Sequence, residues 1–448
     1  MARFLSPKDF GLYAFANIFF VTTRVVAGNA FVDSLVQKRI SLSPLIYPAF
    51  WIVCLVFFLS IPLISGLGFL LEKPLRMPGL FPVLSLLSLG FFSFGLGVVP
   101  EAICVEKLNF RPLAIRRMVE QLVGGLFGVY TAILGWGVFS LVAQVLTGSA
   151  FGTALLWSFT RFRPKLTSDF SSLMPLRVFF LNRLGTVLAG ALGMRLDSFF
   201  VGALLGPVAL GFYSVAWRLY TVTSVFTNLT INRFAFPFFV SQKGDCKRIQ
   251  QSYRTFTHLS CMLGSMGYLA LFSLANPLLY SFFGNQWGPA IPVLLALAFL
   301  GTLGNTFFVG NLLLRALGRA DLEFRCVIFP TIANLCLLPF TTSHGLIAVV
   351  ITLLFSSILT APLLLFYLKK ESGINFSVVI KSGFRPWIAG SISSMVTLFF
   401  LNQASLGAGL NSTAQLILGS FIFAFTFLFL TILIDRKFFF FIFSKNFL

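Results

Sequence analysis

Apolar segments bounded by charged or Gly/Pro-rich breaks follow one another along the chain. They fall at about 11–32, 45–71, 80–103, 117–136, 138–160, 176–204, 211–235, 256–283, 290–313, 326–341, 344–368, 384–402 and 413–434. A helix crosses a bilayer with ~20 apolar residues, so the pattern predicts roughly thirteen transmembrane helices. Two pairs, 117–160 and 326–368, break only at Gly135-Trp136-Gly137 and at Thr342-Ser343-His344-Gly345, which predicts tight helical hairpins. The apolar segments continue to the C-terminus, which excludes a signal peptide followed by a soluble enzyme.

The polar positions orient these helices. Alternate loops carry Lys38 and Arg39; Lys107, Arg111, Arg116 and Arg117; Arg161, Arg163 and Lys165; Lys243, Lys247, Arg248 and Arg254; Arg315, Arg319 and Arg325; Lys369, Lys370, Lys381 and Arg385; then Arg436, Lys437 and Lys445. The intervening loops are short and nearly uncharged, with Lys73 and Arg76 as the exceptions. The positive-inside rule therefore places the basic loops and the C-terminus in the cytoplasm.

A repeat organises the spans. The stretch LSPKDFGLY (Leu5 to Tyr13) returns 200 residues later as LGPVALGFY (Leu205 to Tyr213). Six predicted spans separate the copies, so both lie on one face and the two units point the same way. A second echo, GVFSLV from Gly137 and GLIAVV from Gly345, opens the last helix of each unit. Parallel repeats of this kind are one of two designs common in secondary transporters, with the substrate site between the halves. The second motif is expected to be the outer turn between the first two helices of its unit, after a long apolar run. Only four residues precede the first copy, so the first unit is expected to lack its first helix through a start placed too far downstream. A genuine thirteen-span chain is the alternative. The expected fold is an all-α polytopic membrane protein: an N-lobe of about five helices (1–165), a C-lobe of six (166–372), and two extra helices with a cytoplasmic tail (373–448).

Composition changes this picture little. Of 448 residues, 57% are hydrophobic and 10% charged, against roughly 25% charged in soluble domains. The net charge of +20 is explained by the cytoplasmic loops, without nucleic acid as a partner. Six cysteines form no CxxC pair and there are two histidines, which leaves no metal site, catalytic triad or cofactor to expect.

The stretch from Arg195 to Leu219 (RLDSFFVGALLGPVALGFYSVAWRL), with FPFFVSQKGD, FGNQWGPAIPVL and LLRALGRADLEFR, resembles the second half of the polysaccharide flippases. LSPKDFGLYAFA and EKLNFRPLAIRR resemble the first half. That family is the Wzx-like branch of the multidrug/oligosaccharidyl-lipid/polysaccharide export superfamily. The resemblance implies two six-helix lobes, often with two extra helices. It implies a transporter, with no enzymatic activity, that moves polyprenyl-diphosphate-linked oligosaccharide units from the inner to the outer leaflet of a bacterial inner membrane. The product is surface polysaccharide such as O-antigen, capsule or exopolysaccharide. The implied partners are the lipid-linked oligosaccharide, membrane lipids, and a polysaccharide polymerase with its export machinery.

Ionisable groups deep in spans are costly and therefore informative. Arg24 lies thirteen residues past Gly11, about 20 Å along a helix. Asn17 is seven residues earlier on nearly the same face. Two readings stand for Arg24: a cation in a cavity for a phosphate-bearing lipid, or a side chain that snorkels to the headgroups. Arg183, Gly190 and Asp197 recur every seven residues and share a face. They suit a cavity wall, or else Arg183 anchors the headgroup boundary and Asp197 pairs with a neighbouring helix. Arg218, Thr221, Asn228 and Asn232 share a broad face, and Arg218 has an alternative role as a clasp to Asp197. Asn305, Asn311 and Asn334 are read as interhelical hydrogen-bonding residues, and Glu101 and Glu120 as interfacial.

The expected substrate cavity thus comprises Arg24, Asn17, Arg183, Asp197, Arg218 and Asn228, with Asp197 as the ion-coupling carboxylate. Arginine suits a diphosphate because its planar fork stays charged and donates two parallel hydrogen bonds. Alternating access of the two lobes would then move the head group outward. A drug/cation antiporter of the same superfamily is the nearest rival, though it favours cavity acids. A membrane glycosyltransferase or polymerase would need catalytic groups in substantial outer loops, whose acids here are only Asp9 and Glu72.

Overall fold

The computed structural model describes residues 3–37, 46–166, 195–407 and 410–435, with positions 180, 183, 184, 187, 188 and 193 between them. All regular structure among these residues is helical: α1 (Pro7–Gln37), α2 (Ile46–Glu72), α3 (Leu80–Ser88), α4 (Gly90–Glu106), α5 (Arg111–Ile133), α6 (Phe139–Thr160) and α7 (Leu196–Phe200). A π-turn over Val201–Leu205 leads into α8 (Gly206–Ser241). There follow α9 (Cys246–Ser273), α10 (Ala275–Phe282), α11 (Ile291–Ala316), α12 (Ala320–Thr341), α13 (Leu346–Ser372), α14 (Phe376–Gly407) and α15 (Ser412–Ile434).

Ten helical stretches among the described residues are long and apolar enough to cross a membrane, or eleven when α9 and α10, bent by 67°, count as one broken span. The expected count was thirteen. The predicted segment 117–136 is the 23-residue α5, whose first turns carry Arg111, Arg116, Arg117 and Glu120. The predicted segment 176–204 lies mostly outside the described residues, as does Gly190.

Local chemistry sets the helix ends. Ser6 and Asp9 form a capping box at the start of α1, the Asp9 N–H donating to Ser6 Oγ (3.2 Å) and the Ser6 N–H to Asp9 Oδ2 (3.2 Å). Glu72 accepts the N–H groups of Gly79 (3.2 Å) and Phe81 (2.8 Å), so this acid caps α3. Both predicted hairpins turn at a glycine with positive φ, 54° at Gly137 and 104° at Gly345. The turn expected at the second motif contracts to a break at Gly206 (φ 83°) between the π-turn and α8.

The chain divides into two compact units, Met1–Gly211 and Phe212–Leu448. Within the first, the two copies of the motif meet reciprocally. Gly11 lies on the carbonyl of Pro207 and Gly211 on the carbonyl of Pro7, and a side chain on either glycine would overlap that carbonyl. Aromatic packing joins α1, α2, α4 and α6, with Phe20 and Phe91 stacked at 4.9 Å and Phe50 edge-on to Trp157 at 5.9 Å. The Trp157 indole N–H donates to the Leu96 carbonyl (2.9 Å) and the Thr153 hydroxyl to that of Ser93 (3.0 Å), tying α6 to α4.

Helices α5 and α6 approach along a glycine seam. A Cβ on Gly148 would stand 2.6 Å from the Glu120 carbonyl, and one on Gly124 would stand 2.5 Å from that of Gln144. Gly148→Val is expected to force the pair apart at a cost of about 1–3 kcal/mol, measurable as a lower thermal midpoint in detergent.

The second unit has its core around Phe239, Tyr253, Leu313 and Leu368. Asn305 pairs reciprocally with Ser260 of α9, donating to its carbonyl and accepting, through its own carbonyl, the Ser260 hydroxyl (3.0 Å). This is the interhelical role expected of it. The last two helices are fastened to α9: Phe423 and Phe427 pack with Ala389 and Met262. Beside them, Asp435 meets His258 (2.7 Å) and Arg385 (2.7 Å). Burial pushes the Asp435 carboxyl up, but the hydrogen bonds from His258 and Arg385 outweigh it and hold it below the usual carboxylate range.

Candidate functional site

A cavity of about 140 Å³ opens inside the first unit, walled by α1, α2, α4 and α5. Helix α1 supplies Arg24, Gly28 and Asn29; α4 supplies Phe94, Val98 and Glu101; α5 supplies Arg116, Arg117 and Glu120. Three guanidinium groups and two carboxylates therefore share one small space, with a surplus of positive charge.

The cations are held differently. Arg116 is 6% exposed and forms two ion pairs, Nε with Glu120 Oε1 at 2.7 Å and Nη1 with Glu101 Oε2 at 2.9 Å. The first is an i,i+4 pair along α5; the second joins α5 to α4. Two glycines make room for this cluster. A Cβ on Gly97 would stand 3.4 Å from Arg116 Nη2, and one on Gly152 would stand 2.6 Å from Glu120 Oε1. Arg24 is held by a ring instead, its guanidinium carbon 4.4 Å from the centroid of Phe94. The carboxylates of Glu120 and Glu101 attract it across the cavity, while Arg116 and Arg117 repel it. Gly28, one turn further along α1, has nothing within 4 Å of where its Cβ would be, so the wall beside Arg24 is open. An anion arriving here meets a planar, desolvated donor fork that is already oriented.

The other residues expected from sequence do not gather at this cavity. Asn17 lies two turns before Arg24, outside the lining. Arg183 pairs through Nε with Asp33 Oδ2 of α1 at 2.6 Å, both side chains about 40% exposed. Asp197 is buried at the start of α7. Arg218 and Asn228 belong to the second unit: Arg218 is exposed, and Asn228 donates to Ser224 Oγ one turn back (3.1 Å). Sequence reasoning missed Glu101, Arg116 and Glu120, which it had assigned to loops and interfaces. The available signal was the i,i+4 spacing of Arg116 and Glu120 opposite the glycines of α6, Gly148 and Gly152.

With this geometry in hand, comparison with known proteins assigns the family. A family model described as polysaccharide biosynthesis protein matches residues 1–292. The chain belongs to that family. A full-length relative is the succinoglycan biosynthesis transport protein ExoT of Rhizobium meliloti (strain 1021), 25% identical over 98% of this chain and 88% of its own. The lipopolysaccharide biosynthesis protein WzxC of Escherichia coli (strain K12) is 24% identical over 74% of this chain and 68% of its own. Among solved structures, the lipid II flippase MurJ in an inward closed conformation superposes with a TM-score of 0.72, at 13% identity, covering 96% of this chain and 97% of that one. An inward-facing multidrug resistance MATE family transporter follows at 0.64 and 14% identity, covering 84% and 92%. The member of the polysaccharide biosynthesis family described here is thus an all-helical, multi-pass membrane protein with the fold of these transporters.

Proposed function

We propose that this protein is a flippase that carries polyprenyl-diphosphate-linked oligosaccharide units from the inner to the outer leaflet of the bacterial cytoplasmic membrane, its C-terminus cytoplasmic, for surface polysaccharide synthesis. The observation that carries the reading is Arg24, set deep in α1 against Phe94 and facing a cavity it shares with Arg116 and Arg117. Such a substrate has an apolar tail that stays in lipid and a diphosphate head that cannot enter hydrocarbon unaided. Arg24 supplies the counter-charge, and alternating access exposes the bound head group to each face in turn. The relatives named for succinoglycan and lipopolysaccharide biosynthesis support the class of cargo. On this reading the polysaccharide polymerase and export machinery act on what the flippase delivers. The drug/cation antiporter reading fares worse, because both cavity carboxylates are already engaged by Arg116.

Disrupting the gene should leave lipid-linked repeat units on the inner leaflet and strip the surface polymer, scored by accessibility of the lipid-linked sugar in intact cells. Normal surface polymer in the disrupted strain would overturn the reading.

A further inference from the structure

The cavity's cations are not equally available to an anion. Among the described residues Arg24 packs on a ring, whereas Arg116 is engaged by two carboxylates. A diphosphate arriving beside Arg24 meets both the Arg116 guanidinium and the two carboxylates that hold it, all within one lining. Like charges in so small a space oppose each other strongly, so one carboxylate must give way. The two are not equivalent. Glu120 sits on the same helix as Arg116, is 21% exposed, and is wedged against Gly152 of α6. Glu101 comes from the neighbouring helix α4 and is 32% exposed.

We propose that Glu101 is a built-in competitor for the anion: it occupies Arg116 while the cavity is empty and surrenders it when a diphosphate binds beside Arg24. This rests on the flippase reading of the same cavity and adds the regulation of that site. The exchange has a structural consequence. The Glu101–Arg116 pair is the ion pair that ties α4 to α5 among the described residues, while Glu120–Arg116 lies within α5. Loading the cavity therefore loosens α5 from α4, leaves α5 internally intact, and leaves the hydrogen bonds of α6 to α4 in place. An occupied site is thereby distinguished from an empty one, and an empty cavity stays locked.

The test uses the full-length protein in detergent, titrated with farnesyl diphosphate, with farnesol as the probe lacking the anion. Glu101→Gln keeps Arg116 paired with Glu120, so the variant is expected to fold, with a thermal midpoint lowered only by the loss of the α4–α5 tie; Glu101→Ser serves if the amide is not accommodated. Removing the competitor should tighten farnesyl diphosphate binding about tenfold, within the range usual for coupled sites. Glu101→Asp, which keeps the competing charge, should bind more weakly than Glu101→Gln. Arg24→Gln should lose binding, placing the probe in this cavity. Equal or weaker binding by the Glu101 variants, with Arg24-dependent binding intact, would overturn the competitor and leave the flippase reading standing. No diphosphate binding by the unaltered protein, or binding of farnesol as tight, would overturn both.

Discussion

Arg116→Met should lower the stability of the folded protein by about 3–5 kcal/mol, the usual consequence of removing one partner from a buried ion pair. Arg116 is 6% exposed, and its loss leaves Glu101 and Glu120 facing the same cavity without their ion-pair partner. Much of that cost belongs to the stranded carboxylates and little to the pair's net strength. The triple variant Arg116→Met/Glu101→Gln/Glu120→Gln should therefore recover most of it. Thermal unfolding of the two proteins in detergent separates these contributions. A wild-type midpoint for Arg116→Met would mean that the cluster carries no structural load.

Arg24→Glu should reduce export at least about 100-fold while the protein still reaches the membrane, because it sets a carboxylate where the anion must bind. Little structural loss is expected, since Arg24 packs on Phe94 and the space beside it at Gly28 is open. Arg24→Lys should cost about tenfold: it keeps the charge but loses the planar fork that grips a diphosphate and stacks on the ring. Surface polymer in a complemented disruption strain, normalised to membrane-inserted protein, reads both effects. Full export by Arg24→Glu would return this arginine to the role of a headgroup anchor.

These two arginines show how far the linear pattern reaches. Arg24 stood out because it interrupts a long apolar run, a property visible along one helix. Arg116 did not, because it sits near the polar start of α5 among other basic residues, where the topology rule already explained it. Its burial arises from α4 and α6 folding over it, with Gly97 leaving space for its guanidinium and Gly152 for its partner Glu120. Arg183 illustrates the opposite case. Its seven-residue recurrence with Gly190 and Asp197 suggested one stripe, yet its carboxylate partner is Asp33, 150 positions earlier.

The sequence by itself determined the solvent this protein lives in, its helical class, its internal repeat, both hairpin turns and its family resemblance. These follow from local properties: the length of apolar runs, the side on which charges collect, and glycines at positions that need positive φ. Tertiary structure alone decided that positions 24, 101, 116 and 120 share one cavity and that Arg116 rather than Arg24 is locked by carboxylates. It also brought the two copies of the opening motif together, each glycine on the other's proline carbonyl. The physical reason is the same throughout. A charge in a membrane is stabilised by whatever partner packing brings within reach, and that partner is chosen by how closely helices approach, not by spacing along any one of them.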